Sequence, residues 1–189
     1  MTAGIRIRRK NSLNVFREGR KAGNFDEFPV LRPEIDPQAH LSHNTTDQPF
    51  YLTCEKDSIL IQLSGRSKIL FPEGAVRFVE AGPGDFTYIP DGTTHRLNTI
   101  EEGLVLRYKA QDPGLESISW FCPGCGDEVS RLTWNASETL PQLAYREGCE
   151  TFNADVSRRT CKSCGTVLDP VSLDPFRWKE VADALSEES

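Results

Sequence analysis

Two matched cysteine pairs constrain this chain more than any other feature of it. They read Cys122-Pro-Gly-Cys125-Gly126 and Cys161-Lys-Ser-Cys164-Gly165. A CxxC turn lets two thiolates converge on one ion, and the glycine that follows permits the left-handed backbone such a turn requires. Two of these turns supply a closed S4 shell, which suits Zn(II) or a single tetrahedral iron. Such a shell leaves no coordination position for a substrate, so its role is structural. Disulfides or one redox-active CxxC are the alternatives, and the matching glycines argue for one shared ion at Cys122, Cys125, Cys161 and Cys164. Cys149 lies outside both pairs and reads as a small buried apolar residue.

The compartment expected for the chain supports the same reading. No apolar run approaches the ~18 residues that span a bilayer, and the N-terminus lacks the apolar stretch of a signal peptide. A cytoplasmic protein without membrane contact is expected, and thiols stay reduced there. Six cysteines then point to metal before disulfides. A net charge of −6 argues against general nucleic-acid affinity. The basic cluster Arg6, Arg8, Arg9 and Lys10 reads as a solvated N-terminal arm.

Three regions follow from the punctuation of the 189 residues. Residues 1–50 are polar and interrupted by Pro29, Pro33, Pro37 and Pro49. They read as an arm with a short helix between Lys10 and Lys21. Residues 51–112 carry short β-rich runs, at Ser58–Leu63, Lys68–Phe71, Ala75–Val79, Phe86–Ile89 and Leu104–Tyr108, separated by turn residues. Many short strands at this spacing predict an all-β sandwich or barrel. Residues 113–189 begin at Pro113–Gly114, contain both cysteine pairs, and end on a terminal helix with Phe176, Trp178, Val181 and Leu185 on one face. The run Ile59 to Leu63 is apolar on both strand faces, which predicts that both are partly covered.

The second unusual feature is Gly84-Asp-Phe-Thr-Tyr-Ile-Pro90-Asp-Gly92-Thr-Thr-His95-Arg-Leu-Asn98. Gly84 turns the chain into a strand, Pro90 and Gly92 bend it, and His95 opens the next strand, where it can point inward. The segment resembles the second conserved motif of cupins, although Asn98 sits one residue closer to the histidine than usual. Joined to Trp120-Phe-Cys-Pro-Gly-Cys and Arg158-Arg-Thr-Cys-Lys-Ser-Cys-Gly, it makes the chain resemble the bacterial 3-hydroxyanthranilate 3,4-dioxygenase family over roughly residues 45–170. Gln62-Leu-Ser-Gly65 supports the likeness. The resemblance implies a cupin (jelly-roll) barrel with a C-terminal rubredoxin-like iron or zinc unit, a homodimer, and ring opening of an aromatic acid at a non-haem Fe(II).

At the implied iron site the likeness fails residue by residue. His95 matches the family's second histidine, but the first histidine falls on Leu52 and the glutamate on Ser58. A second frame puts the first histidine on His43 and the glutamate on Pro49. His40, Asp47 and Glu55 are then the remaining candidates to complete a shell. The arginine positions that pair with substrate fall on Thr99 and on Gln48 or Ala39. The acidic residue of the last strand falls on Arg107, whose charge is reversed and which cannot act as a base near neutral pH. A degenerate iron site is therefore expected, in a barrel that binds or transforms a small aromatic or anionic compound without the usual triad. His95, Arg107, Cys54 and Tyr51 are the expected pocket groups, and an inward Arg107 would attract an anion. An active aminophenol- or catechol-cleaving dioxygenase, or a structural partner-binding protein, are the alternatives.

Overall fold

The computed structural model describes residues 12–187. The basic cluster Arg6–Lys10 lies outside them, as does the start of the predicted first helix. That helix, α1 (Val15–Gly19), is shorter than expected and is capped by Asn14, whose Oδ1 accepts from the Arg17 amide at 3.0 Å. Eleven antiparallel strands and three further helices follow among the described residues.

One sheet has the order β1 (Phe28–Pro29), β2 (Gln38–Asn44), β9 (Gly103–Lys109), β4 (Ser58–Gln62), β7 (Phe86–Ile89). A second contains β11 (Glu128–Asn135), β10 (Leu115–Phe121) and β3 (Tyr51–Cys54). A third contains β6 (Phe78–Ala81), β5 (Arg66–Leu70) and β8 (Arg96–Glu101). The last two join where Leu52 and His95 exchange both backbone hydrogen bonds, at 2.7 and 2.9 Å. The result is two antiparallel layers closed on one core, the cupin jelly roll, with the four-cysteine unit at its C-terminal side.

Alternation decides which residues face the interior. On β9, Leu106 turns outward to a cluster with Leu41, Phe28, Val181 and Leu185, and the Leu104 side chain packs against Gly19 of α1. Val105 turns inward to the main core, and Arg107 and Lys109 share its face and are buried. On β3, Leu52 and Cys54 point in, while Tyr51 packs edge-on against Phe121 at 5.1 Å on the other face.

Two expected boundaries need correction. Residues 1–50 are not simply an arm, because β2 runs the full length of β9 from Gln38↔Lys109 to Asn44↔Gly103. The barrel also does not end at residue 112, because β10 pairs with β3 and continues the second sheet. A 14-residue helix, α2 (Pro141–Ala154), was not anticipated. Its buried stripe includes Gln142, Ala144, Tyr145, Gly148, Cys149 and Phe152. That is helical spacing, but four of these six residues are small or polar, so the apolar period is muted. Below it lie α3 (Val156–Arg159) and the expected terminal helix, α4 (Trp178–Ser186).

α2 is the rod that ties the two units together. At one end Phe152 stacks on Trp120 with centroids 4.2 Å apart, and Asn153 holds Val171 by two hydrogen bonds of 2.7 and 2.8 Å. At the other end Gln142 and Tyr145 reach the segment before β1. Cys149, midway, is fully buried in the core.

Candidate functional site

The four cysteines converge as their spacing implies. Their Sγ atoms lie within 4.8 Å of one another, with Cys122–Cys164 at 3.4 Å and Cys125–Cys161 at 3.5 Å. Tetrahedral coordination at the usual Zn–S length places sulfurs about 3.8 Å apart, so the donor set fits one ion. The two turns are built alike. The Gly126 amide donates to the Cys122 carbonyl and the Gly165 amide to the Cys161 carbonyl, both at 2.9 Å. Gly126 and Gly165 have φ of 83° and 76°, and nothing lies within 4 Å of where a Cβ would stand. Backbone conformation alone therefore demands glycine there. Cys122 and Cys161 are buried and Cys125 and Cys164 exposed, so the unit sits at the surface with one side against the protein.

The barrel interior is a different kind of site. His95 is fully buried, and its Nδ1 donates to the Thr93 carbonyl at 3.0 Å. That fixes the tautomer and leaves Nε2 as the acceptor, which Arg107 Nη1 fills at 2.9 Å. Arg107 Nε faces Glu27 Oε1 at 3.5 Å. Lys109 Nζ bridges Glu27 at 2.7 Å and Glu116 at 2.9 Å, and Tyr145 Oη donates to Glu27 at 2.9 Å. Two carboxylates and two cations thus balance in a place that excludes water. Breaking such a set is costly because it strands a buried charge.

The same burial sets the proton affinities. Burial first, and then the Arg107 charge, push His95 down to about 3, so the imidazole is neutral. Burial by itself would raise Glu27, but Lys109 first and then Arg107 outweigh it and hold the carboxyl below its ordinary range. Burial, reinforced by Glu116, pushes the Cys54 thiol up to about 12. Cys54 is therefore no nucleophile at neutral pH. Tyr51, also expected in the pocket, is on the outer face of β3.

Catalytic iron does not fit this donor set. Of the two positions that the resemblance implies for the first histidine and the glutamate, Leu52 is directly opposite His95 and Ser58 is buried on β4, and neither side chain is a histidine or a carboxylate. The replacements do not converge either. His43 Nε2 pairs with Glu102 at 2.9 Å, Asp47 accepts from the Thr99 amide at 2.7 Å, and Glu55 accepts from the Leu115 amide at 2.7 Å. Gln48 is spent on the Leu97 amide at 3.2 Å. Among the described residues, the four cysteines are the cluster of His, Cys, Asp and Glu atoms able to hold an ion.

Glu27, Glu116, Lys109 and Tyr145 were not anticipated. Arg107 and Lys109 carried a signal, since alternation puts both on one strand face. Glu27 carried none. It sits in a tight segment where Phe25 and Glu27 adopt φ of 48° and 43°, a left-handed region costly for side-chain-bearing residues. The surroundings hold it there. Asn44 Oδ1 accepts from the Phe25 amide at 3.0 Å, Ser42 Oγ from the Glu27 amide at 3.2 Å, and Trp178 Nε1 donates to the Phe25 carbonyl at 3.0 Å. A cavity of about 450 Å³ abuts this segment at Glu27 and His40.

The chain is similar to characterised proteins over part of its length. It is 28% identical to the 3-hydroxyanthranilate 3,4-dioxygenase of Bacillus cereus over 127 residues, 65% of this chain and 68% of that enzyme. It is also 28% identical to 3-hydroxyanthranilate 3,4-dioxygenase 1 of Aspergillus clavatus over 88 residues, 46% of this chain and 45% of that enzyme. No family profile matches the chain. Among solved structures, it is similar to hydroquinone 1,2-dioxygenase from Sphingomonas sp. TTNP3 with 4-hydroxybenzoate bound (14% identity, TM-score 0.44, 57% of this chain and 81% of that one). A cupin-2 domain protein from Shewanella frigidimarina overlaps at 19% identity and TM-score 0.37, over 43% and 78% of the two chains. No helix of the described residues is long and apolar enough to cross a membrane.

Proposed function

We propose that this relative of the 3-hydroxyanthranilate 3,4-dioxygenases is a small-molecule-binding cupin that has given up the Fe(II) triad. The observation that carries the reading is the 2.9 Å hydrogen bond from Arg107 to His95 Nε2. The nitrogen that would face a metal is occupied by a guanidinium, and the partner positions are Leu52 and Ser58. One neutral imidazole does not hold Fe(II) against water, because tight binding needs several protein ligands in one fixed shell. A neighbouring fixed cation opposes a dication further.

In this reading the barrel binds and orients. Its buried groups offer no acid or nucleophile at neutral pH, since His95 is neutral with both nitrogens engaged and Cys54 stays a thiol. Arg107 was the reason to expect an anionic ligand, and its guanidinium is committed to His95 and Glu27. The four-cysteine site takes one zinc or iron, whose chemistry is to hold the two turns together. Cys122, Cys125, Cys161 and Cys164 would fill its shell.

The test is anaerobic reconstitution with Fe(II), followed by 3-hydroxyanthranilate and O2. The expected result is no new conjugated product absorbance. Ring opening that disappears in His95→Ala would overturn the reading and establish an active dioxygenase in its place.

A further inference from the structure

The carboxylate that sits on Arg107 is the chain's own, and the groups that receive it come from other segments. Glu27 Oε2 accepts from Lys109 Nζ at 2.7 Å, and Oε1 accepts from Tyr145 Oη at 2.9 Å and faces Arg107 Nε at 3.5 Å. Arg107 and Lys109 are on β9 and Tyr145 is on α2. Each cation has a second partner that holds it without Glu27, His95 Nε2 for Arg107 and Glu116 for Lys109. The cradle is therefore built independently of the side chain that fills it. With His95 neutral and Cys54 a thiol, taking Glu27 away leaves two cations against the one carboxylate of Glu116. One buried positive charge then lacks a counter-ion, and one monovalent carboxylate restores the balance.

The segment that delivers Glu27 is the strained part of the arrangement. Among the described residues, Phe25 and Glu27 are the two non-glycine residues with left-handed backbone. Outliers of this kind cluster at ligand clamps and switches, where surrounding contacts hold them. Here Gln142 Nε2 donates to the Asp26 and Glu27 carbonyls at 2.8 and 3.2 Å. Glu27 also borders the cavity of about 450 Å³, so its side chain has open space beside it and the cradle lies directly behind it. His40, opposite Arg107 on β2, stands at the same wall. Pro29, Leu140 and Leu185 give the cavity apolar surface for a ring or short chain. Asp112 is at its exposed rim, where water and salt screen its charge.

We propose that Arg107, Lys109 and Tyr145 form a binding site for a small monocarboxylate, entered from this cavity, and that Glu27 is its built-in occupant, which the ligand displaces. The inference rests on the reading of the barrel as a small-molecule binder and names the ligand class. A tethered carboxylate competes with a free one, so the ligand binds the fraction of molecules whose Glu27 side chain has swung into the cavity. Removing the Glu27 carboxylate therefore tightens binding of a free carboxylate. Loss of a residue that contacts the ligand would do the opposite.

The probe is benzoate, with benzamide as the neutral molecule of the same shape, titrated by calorimetry in low-chloride buffer. Glu27→Gly removes the carboxylate and suits the left-handed backbone at that position. It is expected to bind benzoate with Kd of about 1 mM or tighter, and the parent protein at least about tenfold more weakly. Benzamide should bind Glu27→Gly about tenfold more weakly than benzoate does. Benzoate should also raise the thermal midpoint of Glu27→Gly by more than that of the parent protein. Glu27→Gln keeps the size of the side chain and drops its charge. It guards against a folding defect in the glycine variant, and its benzoate affinity should fall between the two. Adding Arg107→Met to either variant should abolish saturation. The inference is overturned if neither variant binds benzoate more tightly than the parent protein, if benzamide binds as well as benzoate, or if Arg107→Met leaves binding intact. Fe(II)-dependent ring opening would contradict the iron-free barrel whether or not benzoate binds, and a failure of benzoate to bind would leave the iron-free barrel standing.

Discussion

The four-cysteine unit and the barrel interior both gather polar side chains from distant parts of the chain, and they do it by opposite means. In the cysteine unit each pair of ligands is made within one tight turn, and a single long-range juxtaposition brings the two turns together. In the barrel, Glu27, His95, Arg107, Glu116 and Tyr145 arrive from five separate segments, and only Arg107 and Lys109 share a strand. The first site is a local pattern repeated. The second exists only because the sheets close. A site of the first kind reads off a sequence and tolerates drift around it, whereas one substitution at a site of the second kind upsets its charge balance.

The largest effect that tests this contrast is removal of the metal. Cys122→Ser with Cys161→Ser takes one ligand from each turn, and a structural zinc supplies roughly 10–16 kcal/mol of apparent folding energy in small metal units. Elemental analysis should find about one metal per chain in the parent and none in the variant, with near-UV circular dichroism showing loss of the C-terminal unit. Full metal content in the variant would mean that the two turns do not share an ion.

Next comes the buried charge set. Arg107→Met leaves Glu27 with fewer partners and is expected to cost about 3–5 kcal/mol in urea unfolding. Pairing it with Glu27→Met should recover part of that loss, because two adjacent buried charges are removed together. Strictly additive losses would show that the two side chains do not act as a pair.

A smaller effect follows from pH. His95 in the folded protein has its proton affinity lowered from 6.5 to about 3, so below pH 6.5 the unfolded chain takes up a proton that the folded chain refuses. Stability from this group is complete above pH 6.5 and falls as pH drops toward 3. One such proton costs about 1.4 kcal/mol per pH unit, or roughly 2 kcal/mol between pH 6.5 and 5. Glu27, lowered from 4.5, is present as a stabilising group above that value and is lost below it. Urea midpoints measured from pH 7.5 to 4.5 should fall in the parent and flatten between 6.5 and 5 in His95→Gln. A slope unchanged in the variant would assign the effect elsewhere.

The smallest effect on the fold concerns the outside of the barrel. Ile59 and Tyr88 are paired on adjacent strands and are exposed, as is Phe86 on the edge strand β7. We propose that a second copy of the chain covers this face, as the homodimer expected from the family resemblance requires. Sedimentation at low micromolar concentration should give a dimer, and Phe86→Ser with Tyr88→Ser should give a monomer of unchanged urea midpoint. A parent that sediments near 21.2 kDa would contradict the proposal.

The sequence by itself determined the features that depend on neighbours along the chain. The cysteine turns are legible because ligand spacing and the following glycine are local requirements. β7 appears with its expected ends because Phe86–Ile89 lies between Gly84 and Pro90. The terminal helix carries three of the four residues of the expected apolar stripe, Trp178, Val181 and Leu185, all buried, while Phe176 lies just before it and stacks on Trp178. That Leu52, Ser58 and Arg107 stand where the resemblance implies a histidine, a glutamate and an acidic residue is likewise a reading of the sequence, a matter of which residue stands at a position. Tertiary structure alone decided the rest. β2 looked like an arm because its strand character comes from pairing with β9 rather than from apolar alternation. α2 was concealed because a helix packed between a sheet and α4 can bury glutamine, glycine and cysteine in place of leucine. Glu27 became the hub of the buried charge set only when Tyr145, Arg107 and Lys109 were brought around it. An isolated carboxylate in a polar stretch looks solvated, and only the three-dimensional arrangement supplies the donors that make its burial affordable.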